Sequence, residues 1–219
     1  MERNMSLGWV LNHMNAIGAA VGGVAATATM TYGLYRFWRS KYKDEYFKTV
    51  KRSSKSPKPK LILVIGLEGS GKSCFLTSFG ETCPIKRVQP TAEMTRRTVT
   101  IENTEFTLYE VKAKSYWSQL LNILKIKSVV FVVDSSDHSS MGMAKKELSI
   151  FSGEVDTKNI QLLVVANKQD IPGALTPQQV LQSVRDDKFT YRDIQVVGTT
   201  VGVGKARNGV FDAFQYLLK

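Results

Sequence analysis

The chain is poor in the residues that build metal clusters and disulfide scaffolds. Its 219 residues include two cysteines, Cys74 and Cys83, and two histidines, His13 and His138. No pair among these four has the spacing of a zinc site, and two cysteines cannot staple a small secreted fold. A reducing compartment suits such a chain. Acidic residues are also scarce, with 19 Asp and Glu against 30 Lys and Arg and a formal net charge of +11. The excess is local: Arg36 to Lys60 carries ten basic residues against Asp44 and Glu45, so +8 lies in one stretch. A nucleic-acid-binding domain carries its charge on a folded face with aromatics for stacking, so a basic linker speaks against that class and for a solvated or membrane-facing tether. Internal repeats and low-complexity tracts are missing too. The length suffices for one globular domain with a short appendage, not for two domains.

Charge itself is absent near the amino terminus. From Asn4 to Tyr35 there is no Asp, Glu, Lys or Arg, and Ala16–Tyr35 is long enough to cross the roughly 30 Å hydrocarbon layer as a helix. Trp9 and Trp38 lie about 43 Å apart along such a helix, which matches a membrane about 40–45 Å thick including its headgroups. The basic residues follow the span, which places the rest of the chain on the cytosolic side. A cleaved signal peptide needs a basic start, but here Glu2 cancels Arg3. A mitochondrial transit peptide is Arg-rich and amphipathic, which this stretch is not. A buried core helix is the other rival, because Ala, Gly and Thr make the segment only moderately apolar. The reading is a membrane segment at 1–38 with a single span near 16–35, a basic linker at 39–60, and a globular domain at 61–219. Moderate hydrophobicity beside a basic flank suits the mitochondrial outer membrane or the endoplasmic reticulum. Gly18 and Gly22 form a GxxxG pair, which is incidental in a span so rich in small residues.

What is present after the linker is specific. The apolar run Leu61–Ile65 ends in Gly66, Leu67, Glu68, Gly69, Ser70, Gly71, Lys72 and Ser73, which satisfies every position of the phosphate-binding loop. The glycines let the backbone curl so that successive N–H groups converge on phosphate oxygens, Lys72 supplies a cation, and the Ser73 hydroxyl can ligate Mg²⁺. The following helix adds the positive end of its dipole. The base is chosen further on. A second apolar run, Ile160–Ala166, ends in Asn167, Lys168, Gln169 and Asp170. A carboxylate at Asp170 can accept hydrogen bonds from guanine N1–H and the 2-amino group, donors that adenine lacks. An unpaired buried carboxylate costs about 1–3 kcal/mol or more, which gives the discrimination its size. The Lys168 stem can lie over the base, and Asn167 can tie this loop to the phosphate loop.

With both motifs in place the chain resembles the Ras superfamily, and specifically its ADP-ribosylation-factor-like branch, from about Lys60 to Lys219. Val132-Val-Asp134-Ser135, the run Ala166–Ala174 and the pair Pro90-Thr91 share in the resemblance. It implies the α/β fold of a P-loop small GTPase, a three-layer sandwich around a six-stranded mixed sheet, here preceded by one transmembrane helix. It also implies GTP or GDP with Mg²⁺ as cofactors and a protein effector as partner. Gly198-Thr199-Thr200 stands where the family presents a backbone N–H to the guanine oxygen, which makes Thr199 a candidate contact. Thr91 stands at the threonine that binds Mg²⁺ and the γ-phosphate. Family members usually attach to membranes through a myristoylated second residue, which Glu2 cannot supply, so attachment through the span would be permanent.

The resemblance fails at one place. Where the family has Asp-x-x-Gly-Gln, this chain has Glu110-Val-Lys-Ala113-Lys114. Glu110 keeps a carboxylate one methylene longer, and joins Ser73 and Thr91 as the candidate metal ligands. Asp134, at another strand end, is the rival acid; Glu110 is preferred because the family's acid at that other strand faces the next helix. Ala113 keeps an N–H but lacks the φ > 0 freedom of glycine. Lys114 occupies the water-orienting position, and an ammonium can neither accept the water's proton nor a hydrogen bond from it. Three expectations follow: a membrane-anchored Arf-like switch that recruits a cytosolic partner and hydrolyses GTP slowly; a static receptor that holds GTP as a structural cofactor, similar to the anchored beta subunit of the signal-recognition-particle receptor; or an efficient GTPase with unusual catalytic residues.

Hydrophobic periodicity predicts strands near 61–65, 97–102, 105–110, 128–134, 160–166 and 193–198, and helices near 72–80, 139–152, 176–187 and 206–218. Asn103-Thr104 is read as the turn of a hairpin that gives the sheet one antiparallel edge.

Overall fold

The computed structural model describes residues 59–79, 94–101, 104–111, 114, 117–204 and 207–218. The chain divides into two compact units, Met1–Lys43 and Asp44–Lys219, and every described residue lies in the second. The span expected at 16–35 therefore lies outside the described residues, as do the basic linker through 58, Thr91 and Ala113. Among the described residues no helix is long and apolar enough to cross a membrane.

Runs of aliphatic and β-branched residues form six strands: β1 (Lys60–Ile65), β2 (Met94–Ile101), β3 (Thr104–Val111), β4 (Ser128–Asp134), β5 (Gln161–Asn167) and β6 (Asp193–Gly198). They lie in the order β2-β3-β1-β4-β5-β6. β1 pairs in parallel with β3 and β4, and β4–β5 and β5–β6 are also parallel. Only β2 runs antiparallel, against β3. This is the mixed six-stranded sheet with one antiparallel edge. All seven residues of β5 are buried, as a parallel strand covered on both faces requires.

Among the described residues five α-helices cover the sheet: α1 (Lys72–Ser78), α2 (Trp117–Leu124), α3 (Met141–Glu154), α4 (Pro177–Val184) and α5 (Val210–Leu218). Alternation along the strands divides the core in two. Ile62, Val64, Val130 and Val132 pack with Phe75 and Leu76 of α1 and Phe214 of α5. Their neighbours Leu63, Ile65, Phe131 and Val133 pack with Trp117, Leu148 and Val180 from α2, α3 and α4. Edge-to-face aromatic pairs close each layer, Phe106 on Phe214 with centroids 5.2 Å apart and Trp117 on Phe151 at 5.4 Å. Truncating any one of these fully buried rings costs about 3–5 kcal/mol.

The structure departs from the expected elements in several places. Ile101 pairs with Thr104, so Thr104 belongs to β3 and the connection is 102–103 rather than Asn103-Thr104. α2 is an additional helix. Its Trp117, Leu120, Leu121 and Leu124 repeat at helical spacing, and Trp117 and Leu121 are its buried residues. α4 starts one residue later than expected. Thr176 accepts from the Gln179 N–H while the Gln179 side chain receives the Thr176 N–H, a capping box with Pro177 at the first helical position.

The connectivity opens a crevice. The chain leaves β1 toward the face covered by α1, but leaves β3 and β4 toward the face covered by α2 and α3. Loops that diverge in this way at the carboxyl ends of parallel strands create the usual ligand position of an open α/β sheet.

Candidate nucleotide site

The phosphate loop lies in that crevice, and two of its glycines are fixed by space as well as by conformation. Gly66 has φ 138°, and a Cβ there would fall 2.2 Å from the Val132 carbonyl oxygen of β4. Gly71 has φ 98°, and a Cβ there would fall 2.2 Å from Asn167 Nδ2. Ser70 closes the turn, its Oγ donating to the Leu67 carbonyl at 2.9 Å. Lys72 bends back into the loop and donates to the carbonyls of Gly66 (2.9 Å) and Leu67 (2.8 Å). The ammonium is thus held where the loop encloses it.

Ser73 and Glu110 meet across the crevice. β3 alternation puts Glu110 on the same face as Phe106 and Leu108, the face that α1 covers. The Ser73 hydroxyl donates to Glu110 Oε1 at 2.8 Å. Glu110 is 3% exposed, and its second oxygen, Oε2, is buried with no hydrogen-bond partner. An orphaned carboxylate oxygen beside a serine hydroxyl, in the same cleft as the Lys72 ammonium and the glycine loop, fits a hard divalent cation together with a polyphosphate. Ser73 and Glu110 would hold the cation, which would neutralise phosphate charge; Lys72 and the loop N–H groups would hold the phosphates.

Asp134, the rival acid, is engaged elsewhere. It accepts from Lys168 Nζ and from the Ser136 N–H and hydroxyl. Burial acts to raise the Asp134 carboxyl, but these hydrogen bonds and the Lys168 charge outweigh it and hold the group below the usual carboxylate range. Lys168 itself has a left-handed φ of 65°. Its stem forms one wall of a smaller cleft of about 180 Å³ that also takes in Leu67, Gly69, Ser70 and Asp137.

Asn167 knots three segments together. Fully buried, it donates from Nδ2 to the Ser70 carbonyl at 3.1 Å and the Val201 carbonyl at 3.4 Å. Its Oδ1 accepts from the Thr199 hydroxyl at 3.0 Å and the Val201 N–H at 3.1 Å. The Thr199 N–H bonds to the Ala166 carbonyl at 2.9 Å, so both the backbone and the side chain of Thr199 brace the base loops. Asp170 is exposed beyond them. Gln169, the tetrad residue without an expected role, donates to Ser135 Oγ and the Leu175 carbonyl and holds the tetrad against the β4 loop.

Two further residues were not singled out from sequence. The main cleft, about 660 Å³, runs from the phosphate loop past Glu110 to Lys114, Trp117 and Glu147. Lys114 forms an ion pair with Glu147 of α3, and its Nζ lies over the Trp117 ring, 5.8 Å from the centroid. Helical spacing could have flagged Trp117. Nothing in the local sequence marks Glu147, which reaches Lys114 only through the packing of α3.

Sheet order, phosphate loop and base tetrad together define a small GTPase of the P-loop class, a GTP-binding domain. The amino-acid sequence matches the ADP-ribosylation factor family over residues 45–219. The chain belongs to that family. It is similar to ADP-ribosylation factor-like protein 1 of Saccharomyces cerevisiae, 30% identical over 72% of this chain and 85% of that protein. It is likewise similar to ADP-ribosylation factor 1 of Brassica rapa subsp. pekinensis, 30% identical over 71% of this chain and 85% of the relative. ADP-ribosylation factor-like protein 1 of Caenorhabditis elegans is 28% identical over 69% and 84% of the two chains.

Proposed function

We propose that this Arf-like protein is a membrane-anchored switch or platform that binds GTP or GDP with Mg²⁺, recruits a cytosolic protein partner, and hydrolyses GTP slowly or not at all. The observation that carries the reading is Lys114. At the position where the family orients the attacking water, the chain has a side chain that can only donate, and it is committed to Glu147 and to the face of Trp117. Phosphoryl transfer depends almost wholly on positioning and charge stabilisation, so loss of the water-orienting group costs a large rate factor while leaving ground-state binding to Lys72, Ser73 and the base tetrad. Single-turnover hydrolysis at saturating GTP tests it: the wild type is slow, and Lys114→Gln combined with Ala113→Gly and Glu110→Asp is faster. A wild-type rate at or above that of the triple variant refutes the reading and favours an efficient GTPase with its own catalytic solution.

The same ion pair supports a second reading, in which GTP is a structural cofactor of a static receptor, since it ties residue 114 to α3. Nucleotide content of the purified protein followed over time separates the two: a switch exchanges GDP for GTP, whereas a static receptor retains GTP. Guanine choice rests on Asp170, and Asp170→Asn is expected to weaken GTP in favour of xanthine nucleotides; displacement of GTP by equimolar ATP from the wild type would refute it. The uncharged span before a +8 linker supports a single-pass anchor in the mitochondrial outer membrane or endoplasmic reticulum with the domain facing the cytosol. Alkaline carbonate then leaves the full chain in the membrane pellet, and protease added to intact organelles removes the domain. Release by carbonate, or protection of the domain, overturns that arrangement.

A further inference from the structure

We propose that Lys114 and Glu147 together set the preference of this site between nucleoside triphosphate and diphosphate, with Glu147 acting as a positioning residue that competes with a third phosphate for the Lys114 ammonium. The inference rests on the reading that the cleft holds a guanine nucleotide.

A largely buried acid on the wall of a phosphate cleft needs an explanation. The Glu147 side chain is 11% exposed and lines the same cleft as the phosphate loop and Glu110. Left bare, its charge would repel any phosphate that approached. Lys114, 48% exposed, neutralises it, and the Trp117 ring supports the ammonium from one side. The pair therefore makes the α3 wall tolerable to an anion without attracting one.

The position of the pair along the cleft makes its effect specific. Lys72 and Ser73 serve the phosphates seated in the loop, the lysine of such a loop reaching the β- and γ-phosphates. A diphosphate is satisfied there. A third phosphate extends the charge outward past Ser73 toward Glu110 and the end of the cleft where Lys114 lies. It offers Lys114 a second anionic partner, and accepting that partner leaves Glu147 desolvated and unpaired, which is costly for a buried carboxylate. Glu147 thus weakens the triphosphate state selectively, and Lys114 alone would strengthen it.

Equilibrium competition between GDP and a hydrolysis-resistant GTP analogue on the full-length chain, with Mg²⁺ present, tests the pair. Two ligands that differ by one phosphate give a ratio that a merely structural role would not move. Glu147→Gln is expected to raise the triphosphate-to-diphosphate affinity ratio about tenfold, and Lys114→Met to lower it about tenfold, the scale of one charge-assisted contact. The double variant, uncharged at both positions, returns to within about threefold of the wild type. A Glu147→Gln ratio within twofold of the wild type overturns the proposal. So does a double variant that stays at either single-variant value, because one residue would then be acting alone. Should Glu147→Gln fail to fold, Lys114→Met at its half-exposed position still decides: an unchanged ratio overturns the pair. Failure of the wild type to bind either nucleotide sinks the nucleotide reading itself, whereas binding with unmoved ratios sinks only the pair.

Discussion

Replacing Asn167 with alanine removes a side chain that joins the phosphate loop, the end of β5 and the loop after β6. Asn167 is fully buried, Thr199 is 1% exposed and Val201 5%, so water cannot readily take over the lost partners. The change strips the acceptor from two donors, the Thr199 hydroxyl and the Val201 N–H. Each buried donor left without a partner costs about 1–3 kcal/mol, which makes the two worth roughly 3 kcal/mol. The carbonyls of Ser70 and Val201 lose a donor as well, at a smaller cost because an under-satisfied carbonyl is better tolerated. Against a domain stability of about 5–15 kcal/mol the loss is large. Urea unfolding followed by far-ultraviolet circular dichroism, with nucleotide removed by chelation so that ligand binding does not add to the difference, measures it directly. With a slope of about 2 kcal/mol per molar urea, the midpoint falls by about 1.5 M. Asn167→Asp is a sharper variant, since it keeps Oδ1 as an acceptor but turns a second acceptor against the Ser70 and Val201 carbonyls; it is expected to be at least as damaging. A loss below about 1 kcal/mol for Asn167→Ala at unchanged slope would refute the claim that this amide holds the site together.

Gly71→Ala sets a Cβ 2.2 Å from Asn167 Nδ2 at φ 98° and is expected to cost about 2 kcal/mol or more in the same unfolding assay; a neutral result would mean that the loop relaxes freely. Chelation is expected to accelerate nucleotide release from the wild type, and Glu110→Gln, which removes the carboxylate that faces Ser73, to make release insensitive to it; retained sensitivity would assign the cation to other ligands. Asp134 has a folded pKa below its unfolded value, so the stability it contributes is present above the unfolded carboxylate value of about 3.9 and is lost as pH falls through the folded one. The difference in urea midpoint between wild type and Lys168→Met should accordingly shrink as pH is lowered from about 6 to 3; a constant difference would show that the ion pair does not supply it.

The parts legible in the sequence are those in which local geometry and chemistry coincide. The phosphate loop is one. Gly66 and Gly71 occupy backbone conformations that other residues resist, and Lys72 and Ser73 follow at fixed distance because a helix begins there. β1, β4 and β5 were legible as unbroken apolar runs, and β5 is buried along its whole length. The hairpin turn lies one residue earlier than expected because turn propensity favours Asn103 without fixing which neighbours pair; cross-strand register fixes that, and it enrols Thr104 in β3. α2 has a weaker local signature: Trp117, Leu120, Leu121 and Leu124 spell out an apolar face, but the helix is eight residues long with two buried side chains, and packing against the sheet completes it.

Sequence alone determined the binding class of this protein, because a loop that cradles phosphate and a tetrad that reads guanine are each made by residues adjacent in the chain. Tertiary structure alone decided how those pieces are held and neutralised. Glu110 meets Ser73 because β3 lies beside β1; Asn167 grips Ser70 and Val201 because β5 ends level with the loop; Asp134 is drawn to Lys168 rather than to the cation position because β4 and β5 pair in register. Lys114 finds Glu147 across 33 residues of sequence only when α3 packs against the sheet. Charge compensation between groups distant in the chain has no local signature, since its energy depends on a separation and a burial that exist only after folding.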